Sequence, residues 1–307
     1  MAARSDPVNA IGPAFAARHS MNAASIVSLP ADAYNAAMTR PDHHRRPPPG
    51  GARSAYPPRS PAERRPDSLF IYGIHPVLAA LANPRRAVKR IMATANALAR
   101  LTAAGATLPG APEETTPRFL DHLLGGEAVH QGVAVEVAPL APMEIDALAG
   151  AHLVIVLDQV TDPHNVGAIL RSALAFGADA LLTTGRHAPA ETGVLAKAAS
   201  GALDMLPLVE VQNLARALEA LAGLGFTRIG LDSAARETLE EAISGERIAL
   251  ILGAEGKGLR RLTRETCDRL ARLPTAGPLA SLNVSNAAVL ALYLARRHLG
   301  AAPDQAI

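Results

Sequence analysis

From residue 152 onward, short apolar runs alternate with stretches in which apolar residues recur every three or four positions. The runs at 153–157, 180–183, 207–211, 228–231 and 248–252 have strand length and are rich in Val, Ile and Leu, the pattern of strands buried on both faces. Between them, 166–176, 193–199 and 214–224 carry helical spacing, and 287–298 predicts a C-terminal helix. This rhythm predicts an α/β domain over residues 151–302, built on a parallel sheet with ligands at the C-terminal ends of its strands.

Upstream the rhythm is different. Residues 69–72 predict a strand, 75–82 a helix, and 88–92 and 133–137 two more strands, so 68–139 reads as a smaller α/β unit. Residues 140–150, with Ala141-Pro142 and few polar turn formers, read as a linker. Residues 1–67 are rich in Ala, Pro and Arg, include Arg45-Arg46-Pro47-Pro48-Pro49, and hold no period, which predicts a disordered extension.

Composition narrows the function classes. The chain has 307 residues, 49% of them hydrophobic, enough for one good core and a smaller second one. Aromatics make up only 3% and Trp is absent, which argues against a nucleic-acid site built on stacked rings and favours recognition through shape and phosphates. Residues 1–66 carry nine Arg and no Lys against Asp6, Asp32, Asp42 and Glu63, a balance of +5; because the whole chain totals +2, the remainder is −3. The basic charge of 1–66 either adds non-specific RNA affinity or belongs to a dispensable segment. The single cysteine, Cys267, offers no intrachain disulfide and no thiolate cluster, so a reducing compartment, the cytoplasm, and a plain buried thiol are expected, with no metal site. No apolar run reaches the roughly 18 residues of a membrane span.

Three stretches carry candidate chemistry. The first strand of the larger domain ends in Asp158, and Asp162-Pro163-His164-Asn165 leads into a helix with Asn165 as its expected N-cap. On that helix Val166, Ile169, Leu170, Ala173 and Leu174 form one apolar stripe, and Arg171 falls about 130° from its centre, at 100° per residue. Such an arginine is either a solvated surface group or a forked donor for a phosphate or a developing oxyanion. In the second stretch, Leu252-Gly253-Ala254-Glu255-Gly256-Lys257-Gly258, a buried strand opens into a loop whose glycines let backbone approach a ligand. It is neither a dinucleotide fingerprint nor a P-loop. In the third, running from Leu273-Pro274 to Asn286, Ser281, Asn283 and Ser285 are spaced to share one cleft; alternatively Ser285 or Asn286 caps the last helix.

Taken in order, Asn165-x-Gly167-x-x-x-Arg171, Gly253-x-Glu255-Gly256-x-Gly258 and Pro274-x-x-Gly277-x-x-x-Ser281-Leu282-Asn283-Val284-Ser285 resemble the three motifs of the SpoU family of RNA ribose methyltransferases, within the SPOUT superfamily. Thr275 and Asn286 depart from the commoner pattern, which has Met and Val there. Upstream, Tyr72-Gly73-Ile74-His75-Pro76-Val77, Asn83-Pro84-Arg85-Arg86 and His130-Gln131-Gly132-Val133 resemble the ribosomal-protein-like RNA-binding domain of the RlmB-like branch.

The resemblance implies a trefoil knot through which the C-terminal chain threads, a rare exception to unknotted topology. It implies S-adenosyl-L-methionine (SAM) as cofactor, held largely by main chain at Leu252, Gly253, Gly258, Leu273, Ser281 and Leu282. The implied catalytic set is Arg171, Asn165, Glu255, Ser281 and Asn283, acting on a ribose 2′-hydroxyl of RNA, a guanosine of 23S rRNA above all. Because a guanidinium is effectively never neutral, Arg171 is expected as an electrostatic stabiliser and phosphate clamp rather than a base, acting together with Glu255, while Asn165 and Asn283 fix the ribose. A homodimer packed through the knotted domain is implied as well. The alternatives are a tRNA ribose methyltransferase and a non-catalytic RNA-binding ribosome assembly factor. A dehydrogenase is disfavoured, since Asp158-Gln159-Val160-Thr161-Asp162-Pro163 stands where a glycine fingerprint belongs.

Overall fold

The computed structural model describes residues 67–185, 191–277 and 282–300. The extension at 1–66, Ser281 and the segment at 278–281 on which the expected threading depends lie outside the described residues.

The larger sheet begins at β5 (Leu153–Asp158), all six residues of which are buried. It continues through β6 (Ala180–Thr184), β7 (Leu208–Val211), β8 (Thr227–Leu231), β9 (Glu237–Thr238), β10 (Ile248–Gly253) and β11 (Arg269–Arg272). The spatial order is β7-β6-β5-β10-β8-β11-β9, and every pair is parallel. β10 runs beside β5 from Ile248 opposite Leu153 to Gly253 opposite Asp158, so both strands release their chains at the same end of the sheet.

Alternation along these strands sorts their side chains onto two faces. Leu153, Ile155, Leu157, Leu250 and Leu252 meet α4 (Pro163–Ala175) and α10 (Val284–Leu299), through Val166, Ile169, Leu170, Val284, Ala288 and Leu292. Val154, Val156, Ala249 and Ile251 meet α7 (Leu214–Gly223) on the other face, through Leu214, Ala217, Leu218 and Leu221. Both faces are therefore covered, which is what near-continuous apolar strands require.

The smaller sheet has the order β1-β4-β2-β3. β1 (Leu69–Tyr72) and β2 (Val88–Ala93) lie antiparallel to β4 (Val133–Val137), and β3 (Glu113–Glu114) adds a short parallel edge. Helices α1 (Ile74–Ala82), α2 (Ala95–Ala103) and α3 (Pro117–Leu124) accompany it. α2 and α3 are capped by Thr94 and Thr116, whose hydroxyls accept from the N–H groups of Ala97 and Phe119.

The two sheets share one apolar core: Ile71 and Val135 of the small sheet and Val77 of α1 belong to the same cluster as Leu195, Ala199 and Leu203 from α5 (Gly193–Ala199) and α6 (Ala202–Met205). Arg86 joins them electrostatically. Its side chain is fully buried, bonded to Asp204 at 2.7 Å, to Glu191 and to the Ala138 carbonyl, with one terminal nitrogen unpartnered. The stretch expected as a linker is packed as well: Met143 donates its N–H to the Leu208 carbonyl at 3.1 Å and bridges Val209 at the edge of the sheet, ahead of a 3-10 turn at Ile145–Leu148.

Candidate functional site

Three strands of the larger sheet end on one cleft of about 640 Å³. Leu231, Asp232 and Ser233 line it from the end of β8, Leu252 to Glu255, Gly256 and Gly258 from β10, Leu273 and Thr275 from β11, and Leu282, Asn283, Val284 and Ala287 from the start of α10. This is the strand-end position at which parallel α/β sheets hold ligands.

The glycines after β10 are set by backbone geometry. A Cβ on Gly253 would lie 2.2 Å from the Gly258 carbonyl carbon and 2.4 Å from the Leu259 nitrogen, so no side chain fits there. The chain doubles back at once: Gly258 donates its N–H to Ala254 at 2.8 Å, and Gly256 and Gly258 take φ of 74° and 64°, the left-handed region glycine enters without strain. Buried Asp158 braces the exit of this turn, accepting from Arg260 Nε at 2.6 Å and from the Arg260 N–H at 3.0 Å. Asp158 and Arg260 were not among the expected site residues; the available signal was a carboxylate ending an otherwise apolar strand.

The tight turn presents Glu255 to the first and third motifs. Glu255 Oε1 accepts from Asn165 Nδ2 at 3.0 Å, from Asn283 Nδ2 at 2.5 Å and from the Val284 N–H at 3.4 Å. Asn283 Nδ2 also donates to Asn165 Oδ1 at 3.1 Å, while Asn283 Oδ1 accepts from the Ser285 N–H and hydroxyl. The carboxylate thus sits between the N-termini of α4 and α10, where exposed amides favour negative charge.

Both helix starts differ from the sequence expectation, and the difference frees the site residues. α4 begins at Pro163, capped by Asp162, whose carboxylate accepts from the His164 N–H at 3.0 Å; Asn165 lies inside the first turn with its side chain turned to Glu255. α10 is capped by Asn283, not by Ser285 or Asn286. Proline suits the first helical position, and a preceding aspartate caps better than a residue whose amide is already engaged.

The expected partnership of Arg171 with Glu255 is absent: no ion pair joins them among the described residues, and the two asparagines hold the carboxylate instead. Arg171 is exposed on α4 and is not among the residues lining the cleft. Gly167 has a packing role, since a Cβ there would lie 2.4 Å from that of Ala198, and its absence lets α4 and α5 touch. Leu252 is buried and Leu273 half-buried, whereas Leu282 is 40% exposed at the cleft rim. Cys267 packs against Gly230 and Thr263, and burial pushes its thiol up to about 12, so it is no nucleophile at neutral pH.

The profile of the SpoU rRNA Methylase family matches residues 152–293, and that of the RNA 2′-O ribose methyltransferase substrate-binding domain matches residues 70–143. A 23S rRNA (guanosine-2′-O-)-methyltransferase of Burkholderia sp. is 42% identical over 217 residues, which cover 69% of this chain and 82% of the relative. The chain belongs to the SpoU rRNA methylase family. An uncharacterized tRNA/rRNA methyltransferase of Synechocystis is 36% identical over 258 residues, 80% of this SpoU chain and 67% of that one. Among solved structures, the SpoU methyltransferase AviRb from Streptomyces viridochromogenes, in complex with AdoMet, is 25% identical, with a TM-score of 0.62 over 76% of this chain and 90% of its own. The two SpoU profiles fall on the two sheets: the substrate-binding match covers β1 to β4 and ends at Met143, and the methylase match opens beside β5 and runs into α10.

Proposed function

We propose that this chain transfers the methyl group of SAM to a ribose 2′-hydroxyl of RNA, and that its substrate is a guanosine of 23S rRNA. The observation that carries the reading is the convergence of Asn165, Glu255 and Asn283, one from each motif, on a single hydrogen-bonded node at the mouth of a backbone-lined cleft. Relatives named as 23S rRNA guanosine 2′-O-methyltransferases, 38–42% identical, support the substrate class.

The cleft fits SAM. Its volume lies in the range of nucleotide-sized ligand pockets, and its walls alternate apolar side chains, Leu231, Leu252, Leu273 and Leu282, with the bare backbone of Gly253, Gly256 and Gly258. Leucines suit an adenine ring, and unobstructed peptide groups suit its polar edge and the ribose. When bound, SAM supplies the methyl group and the sulfonium leaving group for in-line displacement by the ribose 2′-oxygen.

The protein's task is to hold that hydroxyl and manage its proton. In this reading Asn165 and Asn283, locked by Glu255, orient the ribose, and the carboxylate receives the proton directly or through one water. Ser281 completes this set. Arg171, exposed and outside the node, serves as the phosphate clamp, its fork suited to a phosphodiester. A second copy of the chain is proposed to pack through the methylase domain, where Leu290 and Tyr293 of α10 are 46% and 48% exposed. No described helix is long and apolar enough to cross a membrane, and the cytoplasm, where rRNA lies, is the proposed place of action.

Incubating the full chain with SAM and an in vitro transcript of 23S rRNA, followed by nuclease digestion and mass spectrometry, tests the reading. A single 2′-O-methylguanosine is expected. Methylation of tRNA with the rRNA transcript untouched moves the substrate to tRNA, and binding without transfer to either leaves an assembly factor.

A further inference from the structure

Lys197, in α5, takes no part in the cleft. Its side chain reaches the corner where β1 turns into α1: a Cβ on Gly73 would lie 2.6 Å from Lys197 Nζ and 3.2 Å from Gln131 Oε1. That corner is rigid. Gly73 and Gln131 adopt φ of 89° and 56°, and Gln131 Oε1 accepts from the Ile74 N–H at 3.0 Å. Gly73 and Gln131 belong to two of the three upstream stretches that resemble an RNA-binding domain, and Lys197 approaches the corner they form.

The amine is half-buried, and burial holds it below the ordinary lysine value. Among the described residues no carboxylate forms an ion pair with it, in contrast to Arg86 on the same seam, which takes both Asp204 and Glu191. A partly desolvated cation without a counter-charge is costly unless something outside the chain supplies one. Its position selects the class of partner. Ala198, the next residue, packs on Gly167 of α4, and Arg171 follows Gly167 by one helical turn, exposed and with no carboxylate paired to it among the described residues. Lys197, against the small sheet, and Arg171, one turn beyond Gly167 on α4, are therefore two cations with no ion-pair partner among the described residues.

We propose that Lys197 binds a backbone phosphate of the RNA substrate at the seam between the two sheets, an inference that rests on the RNA reading above. A lysine is a point charge that positions a phosphodiester without reading sequence. It sets the path of the strand from the substrate-binding sheet towards Arg171 and the reacting ribose.

The test is RNA binding by the full chain and its Lys197→Gln, Lys197→Met and Lys197→Arg variants to the 23S rRNA transcript, between roughly 50 and 200 mM salt. Loss of one phosphate contact weakens binding about five- to tenfold near 0.1 M salt and lowers the slope of log affinity against log salt by about 0.7–0.9. KM for RNA rises with kcat and SAM affinity unchanged, and Lys197→Arg restores both affinity and slope. An unchanged slope in a folded Gln or Met variant overturns the inference, and so does failure of both to fold while Arg folds, which makes the side chain a structural wedge. Binding of inorganic phosphate to the free protein, lost in the Gln variant while the RNA slope stays put, overturns it in favour of a small-anion site. A wild-type chain that binds the transcript but transfers no methyl sinks the proposed function alone, and the slope still decides Lys197.

Discussion

Glu255 is the residue on which the site turns, because one carboxylate oxygen holds Asn165, Asn283 and the first amide of α10. Glu255→Gln keeps the shape and removes the charge. If the carboxylate accepts the ribose proton, kcat falls by about 10²–10⁴ while SAM affinity stays within a few fold, measured by single-turnover transfer and calorimetry. Retained turnover would reduce Glu255 to a scaffold. Gly253 makes a sterically sharper case: a methyl group there collides with Gly258 and Leu259 backbone, and Gly253→Ala is expected to cost about 1–3 kcal/mol by overpacking and to abolish SAM binding, read by thermal unfolding with and without cofactor. At this scale Asn165, Glu255 and Asn283 were legible as a motif pattern, but their mutual contact was not. Cap assignments at Asn165 and Ser285 failed because Asp162 and Asn283 compete for the same orphan amides, and only the entry angle of each helix decides between them.

At the level of elements, the five apolar strands of the larger sheet were readable because burial on both faces leaves few polar interruptions. β11 was not, since Arg269-Leu270-Ala271-Arg272 puts arginines at both ends, and its Arg269 pairs with Glu237 of β9 at 2.5 Å. β11 nevertheless delivers Leu273 and Thr275 to the cleft, so a strand invisible in the pattern builds one of its walls. Beside it, Arg228 of β8 binds Asp268 through three contacts of 2.5–2.9 Å. The hydrogen bonds from Arg228 hold the Asp268 carboxyl below its usual range against the opposing pull of burial. A depressed carboxylate adds stability above its unfolded pKa and loses it as pH falls through the lower folded value. Asp268→Asn should therefore flatten the acid limb of the unfolding curve below about pH 4 and leave its neutral shape intact. An acid limb identical to wild type would remove this pair from the account.

Across the whole molecule, the two sheets form one body because Arg86 crosses 118 residues of sequence to Asp204 and 105 to Glu191. Nothing in local periodicity announces such a pair, and within residues 140–150, whose composition suggests a linker, Met143 is paired to the sheet edge. Removing the arginine strands two carboxylates at a buried seam, so Arg86→Ala should lower stability by about 3–5 kcal/mol in denaturant unfolding. A loss under 1 kcal/mol would mean that the apolar contacts of α1, α5 and α6 hold the seam by themselves. The packed seam also sets the separation between the substrate-binding sheet and the cleft, which under the proposed function gives the pairing of the two family profiles a physical meaning: one surface to hold an RNA strand, one to present a ribose. The most direct measurement is mass spectrometry of a 23S rRNA transcript after incubation with the full chain and SAM, beside the same reaction with Glu255→Gln. The account predicts one ribose-methylated guanosine with the wild-type chain and a rate at least about a hundredfold lower with the variant; an unmodified transcript in the presence of folded, SAM-binding wild-type protein would contradict it.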